Sequence, residues 1–115
     1  MRSARESAAA RGAEPSRSAR HAAMDLLGQR WMLRVIWELE PGPLGFLELR
    51  RRMGNCSSSM LSARLHTLQA AGLAEKLPNK NYRLTATGAA LGRALNPVWE
   101  WSDRWQGSDE ERTDR

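Results

Sequence analysis

The residues with the clearest chemistry are Ser57, Ser58, Ser59 and Ser62, followed by Ala63, Arg64 and His66 and preceded by Arg50, Arg51 and Arg52. A hydroxyl both donates and accepts, so serines at a helix start tolerate several base edges. Guanidinium groups match phosphate oxygens through a planar fork of donors. A helix N-terminus adds N–H groups that face an anion without an intrahelical partner. Together these residues describe a probe for a DNA major groove with phosphate contacts beside it. Capping alone would account for Ser57, but not for three further serines next to an arginine run. A charge run is ordinarily a solvated face; here its place just before the serine-rich helix favours the phosphate reading. The outer face carries no Asn, Gln or Lys, so base readout by paired hydrogen bonds is sparse. Much of the affinity is expected from phosphate contacts and DNA shape.

The elements that must hold these residues can be read around them. Leu44 to Met53 reads as a helix with Phe46, Leu49 and Met53 on one face and the three arginines turned outward. Gly54-Asn55 is a turn of residues that tolerate positive φ. The next helix, 57–71, takes Ser57 as N-cap and buries Leu61, Leu65 and Leu68, with Gly72 ending it. Met60 stands where a capping box would need Glu or Gln. Residues 73–77 and 82–84 read as short strands joined by the Pro78-Asn79-Lys80-Asn81 turn. Thr85 caps a last helix, about 86–106, along which Leu91, Leu95, Val98 and Trp105 share a side and Pro97 imposes a bend.

Upstream, Met24, Leu27, Trp31, Val35 and Leu39 recur at helical spacing over residues 21–40, widened by Leu26, Leu33, Ile36 and Trp37. Gly28 divides this stretch into two helices. Trp31 and Trp37 read as core. Pro41-Gly42-Pro43 ends it, since residues before proline avoid the α region. Residues 1–20 have no large apolar side chain beyond Met1, and are expected to form a flexible basic arm. Residues 107–115 form a polar tail, leaving 21–106 as the folded domain. The fold class is mainly α with a small β-hairpin wing. A helix-turn-helix followed by a hairpin is the winged arrangement.

Composition supports a polyanion partner. The 115 residues hold 18 Lys+Arg against 13 Asp+Glu, with a pI near 10.6. The excess is uneven: net +3 over residues 1–20, +4 over 21–85 and −2 over 86–115. Positive charge therefore travels with the helix pair and the leading arm. Cys56 is the single cysteine, so no internal disulfide forms, which suits a reducing cytoplasm. No apolar run approaches a membrane span, and the N-terminus lacks the apolar segment of a secretory signal. An Arg/Ala/Ser makeup resembles a transit peptide, against which Glu6 and Glu14 speak. Cys56 and His66 are ten residues apart and His21 is remote, which suits neither a catalytic pair nor a zinc site. No Gly-rich phosphate loop occurs. No enzyme activity, metal or cofactor is expected.

Five motifs then carry a family resemblance. DLLGQRW at 25–31, ELEPGPLGFLELRRRM at 38–53, CSSSMLSARLHTLQAAGL at 56–73, YRLTATG at 82–88 and LNPVWEWSDRW at 95–105 occur in the order found in the HxlR family of bacterial winged helix-turn-helix regulators. The third motif is also similar to MarR-like regulators. The resemblance covers about residues 21–106. It implies a cytoplasmic, homodimeric transcription regulator that binds double-stranded DNA, dimerising through its first and last helices with its wing near the minor groove. Gly45 stands where a basic residue is frequent, and the wing is shorter than usual, which weakens a minor-groove role for Lys80. No cysteine lies near the first helix, so an electrophile sensor of that kind does not transfer.

Further residues are assigned on this basis. Arg30 is a candidate for backbone phosphate, or pairs with Asp25. Trp99, Trp101 and Trp105 give the last helix more apolar surface than a lone helix can bury, which suggests a subunit interface. Leu26, Leu27, Leu95 and Val98 join it. The alternative use of these rings is a pocket for a small apolar or planar effector. Cys56 reads as a small buried hydrophobe ahead of a redox switch. The function expected is sequence-specific binding of a two-fold symmetric operator by a homodimer with helix 57–71 in the major groove. The alternative is a winged helix used for protein contact, whose mark would be an apolar outer face over 57–67.

Overall fold

Helix α1 runs from Arg17 to Leu27 and α2 from Met32 to Leu39 in the computed structural model, which describes residues 17–113. Then come α3 (Phe46–Arg52), α4 (Ser58–Ala70), strands β1 (Ala74–Lys76) and β2 (Tyr82–Leu84), α5 (Ala86–Ala94) and α6 (Asn96–Thr113). The chain divides into two units between Leu33 and Arg34. The expected arm, 1–20, lies outside the described residues except for Arg17–Arg20, which form the first turn of α1. The backbone beyond Gln106 continues as helix to Thr113 rather than ending at the expected tail boundary.

In the first unit, Gly28 closes α1 by donating to the Met24 carbonyl at 2.7 Å. A Cβ on Gly28 would sit 2.8 Å from that same oxygen, so the close approach needs glycine. Trp31 adopts φ +74, a left-handed backbone that β-substituted residues rarely take. It therefore sits between helices and is half-buried instead of belonging to a continuous helical stripe. No residue of α1 is buried, and Met24 is 63% exposed, against the expected core position.

The second unit holds its core on successive turns of its helices. Val35, Ile36, Leu39, Leu49, Met53, Leu61, Leu65 and Leu68 are all at most 2% exposed. Each such burial contributes on the order of 1.5–3 kcal/mol. Trp37 is 48% exposed, not core. It follows Ile36 by 100° around the helix and lies nearly opposite Leu39, so the apolar stripe is narrower than the sequence suggested.

Helix α3 is shorter than expected because Leu44 forms a β-bridge to Tyr82 instead. Its N–H donates to the Tyr82 carbonyl at 2.9 Å and its carbonyl accepts from the Tyr82 N–H at 2.7 Å. The turn after α3 places Gly54 at φ +73 and Asn55 at φ +59, as their types allow. At the start of α4, Ser57 Oγ accepts from the Met60 N–H at 3.2 Å. At its end Gly72 (φ +74) donates to Gln69 and Leu73 donates to Leu68, closing a Schellman motif. Strands β1 and β2 pair antiparallel in the register Ala74↔Leu84, Glu75↔Arg83 and Lys76↔Tyr82.

The single last helix expected at 86–106 is two helices. Thr85 caps α5 through Oγ1, which accepts from Gly88 N–H at 3.1 Å. That helix ends at Ala94 with Leu95 as its C-cap, and α6 begins at Asn96 with Pro97 in its first turn. Proline has no N–H to bond back, but it is well placed at a helix start, so a break replaces the bend. Gly88 is buried against the end of α4: a Cβ there would overlap the Leu73 carbonyl oxygen and lie 2.9 Å from its carbon. Gly88→Ala is accordingly expected to lower stability by roughly 1–3 kcal/mol, the range for overpacking. Chemical denaturation checks this, and an unchanged midpoint would refute the close-contact account.

Candidate nucleic-acid interface

Three buried leucines fix the rotation of α4 about its axis. With Leu61, Leu65 and Leu68 inside, Ser58, Ser59, Ser62, Ala63 and His66 are exposed, and Ser57 is exposed at the N-cap. Arg64 is half-buried, at the margin of this face. Ser57 Oγ and Ser59 Oγ lie 3.0 Å apart, so these two hydroxyls share one hydrogen bond. Thr67 bonds back to the Ala63 carbonyl at 3.0 Å.

The arginine run divides into two roles. Arg50 is half-buried, and its Nε donates to the Cys56 carbonyl at 2.6 Å. It thus ties the end of α3 to the residue before the Ser57 cap, which corrects the outward phosphate position expected for it. Cys56 is half-buried rather than fully enclosed. Arg34 makes a parallel tie: its NH2 donates to the Arg52 carbonyl at 2.7 Å, and its Nε donates to Glu38 Oε2 at 2.7 Å. Glu38 is 8% exposed and carries its charge against this guanidinium. Both arginines therefore satisfy backbone carbonyls around the turn.

Arg51 and Arg52 do point outward, but each is engaged with Glu48. Arg51 donates through Nε to Glu48 Oε1 at 3.1 Å and through NH2 to Oε2. Arg52 Nε donates to Oε2 at 2.9 Å. The hydrogen bonds from Arg51 and Arg52 hold the Glu48 carboxyl down to about 2. This group sits at the surface, so its ion pairs exchange readily with solvent and salt.

A cleft of about 570 Å³ lies between the start of α3 and the hairpin, lined by Glu48, Lys76, Lys80, Asn81 and Tyr82 with the apolar Phe46 and Leu47, and Ser62 of α4 reaches it. Lys80 occupies the hairpin tip at φ +73. The Lys76 ammonium stands 5.5 Å from the Tyr82 ring centre. Lys76 was missed in the sequence, because only the hairpin register places it beside Ser62. Gly45 also lines the cleft, and a Cβ there would stand 3.1 Å from Asn81 Oδ1. A longer side chain at this position would need Asn81 to move.

The remaining assigned residues fall elsewhere. Arg30 lies over the Trp31 ring at 5.6 Å. Leu26 and Leu27 are half-buried on α1. Leu95 is 9% exposed and belongs to the core, which removes it from a subunit surface. Val98 is 43% exposed, and Trp101 and Trp105 are 52% exposed each. Their two rings stack with centroids 5.3 Å apart at 13°. Trp99 is half-buried. A second cleft, of about 340 Å³, is lined by Trp37, Glu38, Glu40, Pro41, Arg52 and Asn96. Its charged walls differ from the apolar effector pocket expected among Trp99, Trp101 and Trp105, none of which lines it. No described helix is long and apolar enough to cross a membrane.

Known proteins share this arrangement. The HxlR-like helix-turn-helix family matches residues 26–110. The HTH-type transcriptional regulator YvaP of Bacillus subtilis is 30% identical over 89 residues, covering 72% of this chain and 82% of that protein. An HTH-type transcriptional regulator of Mycobacterium tuberculosis is 33% identical over 89 residues, covering 72% of this chain but only 56% of that longer protein. The crystal structure of quinone-bound YodB from B. subtilis superposes with a TM-score of 0.70 at 31% identity, covering 76% of this chain and 98% of YodB. These relatives are transcriptional regulators, not enzymes. A helix-turn-helix with an outward serine face, a two-stranded wing and a sequence match over most of the chain places this protein in the HxlR-like helix-turn-helix family of transcriptional regulators.

Proposed function

We propose that the protein is a cytoplasmic, sequence-specific regulator that binds a two-fold symmetric operator as a homodimer. In this reading α4, with Ser57 at its cap, enters the major groove of double-stranded DNA. The observation that carries it is the split of α4 into a buried leucine edge and an exposed face of Ser58, Ser59, Ser62, Ala63 and His66. Exposed cationic groups accompany that face: Lys76 and Lys80 on the hairpin share a cleft with Ser62, and Arg51 and Arg52 stand exposed at the end of α3. Arg64 contributes at the edge and Arg30 to backbone contact, while Arg50 holds the turn. Small hydroxyls read base edges loosely, and the cations supply the salt-dependent share of affinity. The protein-contact alternative would need an apolar outer face, and the serines do not provide one.

The second subunit packs on α6. Val98, Trp101 and Trp105 expose a stacked aromatic surface that association would bury. Half-buried Trp99 belongs to the same helix, and the half-buried Leu26 and Leu27 of α1 are a separate candidate contact in the first unit. Two-fold symmetry would set the reading helices about 34 Å apart, one turn of duplex.

Binding-site selection on random duplex DNA at two salt concentrations tests the whole reading. A palindromic consensus supports it, and binding without any sequence preference refutes it. Arg51→Ala and Arg52→Ala should weaken binding to every duplex and flatten the log affinity–log salt plot by about one unit per lost phosphate contact; unchanged slopes would remove their phosphate role. Ser58→Ala and Ser62→Ala should shift base preference more than total affinity, and a selection returning the wild-type consensus would count against base contact. The Trp101→Ala/Trp105→Ala double variant should sediment as a monomer at concentrations where the wild type is dimeric. A dimer of undiminished affinity would move the interface elsewhere.

A further inference from the structure

We propose that Glu48 is a built-in counterion that competes with DNA phosphate for Arg51 and Arg52, and thereby restrains affinity for duplex of any sequence. The inference rests on the DNA-binding reading above and concerns the same surface. Its basis is geometric. The Glu48 carboxylate accepts from the Nε and NH2 of Arg51 and from the Nε of Arg52. The Nε–NH2 edge of a guanidinium is a fork that takes a carboxylate or a phosphate in the same bidentate way. On Arg51 that edge is occupied from within the chain.

Charge works in the same direction. Two cations paired with one carboxylate present a net +1 where the arginines alone would present +2. Glu48 also lines the cleft that holds Ser62, Lys76 and Lys80. A carboxylate therefore stands near Lys76 and Lys80 in a cleft whose remaining walls include Phe46 and the exposed Leu47, and it repels approaching phosphates. A surface pair of this kind exchanges partners at little cost, since solvent screens it. Phosphate can displace Glu48, and each displacement then sets the arginine fork against DNA while leaving the carboxylate to water. The pair is held through all working pH, because the arginines keep the Glu48 carboxyl far below neutrality. Competition is thus relieved by substitution or by salt, not by mild acid.

The test is a two-by-two series: wild type, Glu48→Gln, Arg51→Ala/Arg52→Ala, and all three changes together. Each is titrated with a random-sequence duplex at several salt concentrations, with folding checked by circular dichroism. Glu48→Gln should bind about five- to tenfold tighter at low salt, with a log–log slope steeper by about one unit. In the Arg51→Ala/Arg52→Ala background the gain should fall below about twofold. Weaker or unchanged binding by folded Glu48→Gln overturns the proposal, since a residue that merely orients the arginines would lose affinity when removed. An equal gain in both backgrounds also overturns it, by showing a general charge effect. If Glu48→Gln does not fold, Glu48→Ala, which also removes the carboxylate, carries the same comparison. Loss of binding in the arginine variants with no gain from Glu48→Gln would leave the DNA reading standing and the counterion role refuted. Absence of wild-type binding at low salt would end both.

Discussion

Burial of Leu61, Leu65 and Leu68 is the constraint on which the surface depends. A helix can rotate about its axis only as far as its buried residues permit, and these three leave α4 one orientation. Replacing that orientation by one a residue over would expose a leucine and bury a serine hydroxyl, costly on both counts. Both ends of α4 are also tied, by the Ser57 cap and by the Schellman closure at Gly72. The outward face is therefore a consequence of the inward one. Its chemistry is free to vary because it contributes little to stability.

Arginine is used here for two unlike tasks, and the neighbours decide which. Arg34 and Arg50 spend donors on backbone carbonyls around the turn, where the chain leaves α3 and enters α4. A lysine could supply charge at those positions but not a planar set of donors at fixed angles. Arg51 and Arg52 face outward and meet a carboxylate instead. A high pI thus overstates how much positive charge is offered to a partner. Arg83 is similarly paired with Glu75 across the hairpin at 2.9 Å.

Local patterns in the sequence were enough to identify α4, both helix caps, the Gly54-Asn55 turn and the hairpin, because each rests on residues close in sequence. The division near Gly28 was likewise legible from one glycine. What escaped depended on distant partners or on fine angles. Leu44 looks like the start of α3, and only Tyr82 makes it one side of a β-bridge. Arg50 looks like its two neighbours until the Cys56 carbonyl is placed beside it. Trp37 is apolar enough for a core, yet the helical angle turns it away. Leu95 looks available for a subunit contact, yet it is enclosed where α5 meets α6. The Glu48 pairing could have been found from spacing alone, since Arg51 and Arg52 follow at three and four residues on one helix.

The rung between Leu44 and Tyr82 couples two parts that the chain order separates. Both main-chain groups of Leu44 are tied to the hairpin, and Phe46 begins α3 two residues later. The span from Leu44 to Phe46 is therefore a tether of set length. Any displacement of the hairpin is therefore passed to the front of α3, the helix that precedes α4. The hairpin and the helix pair thus share one fixed main-chain reference point at Leu44.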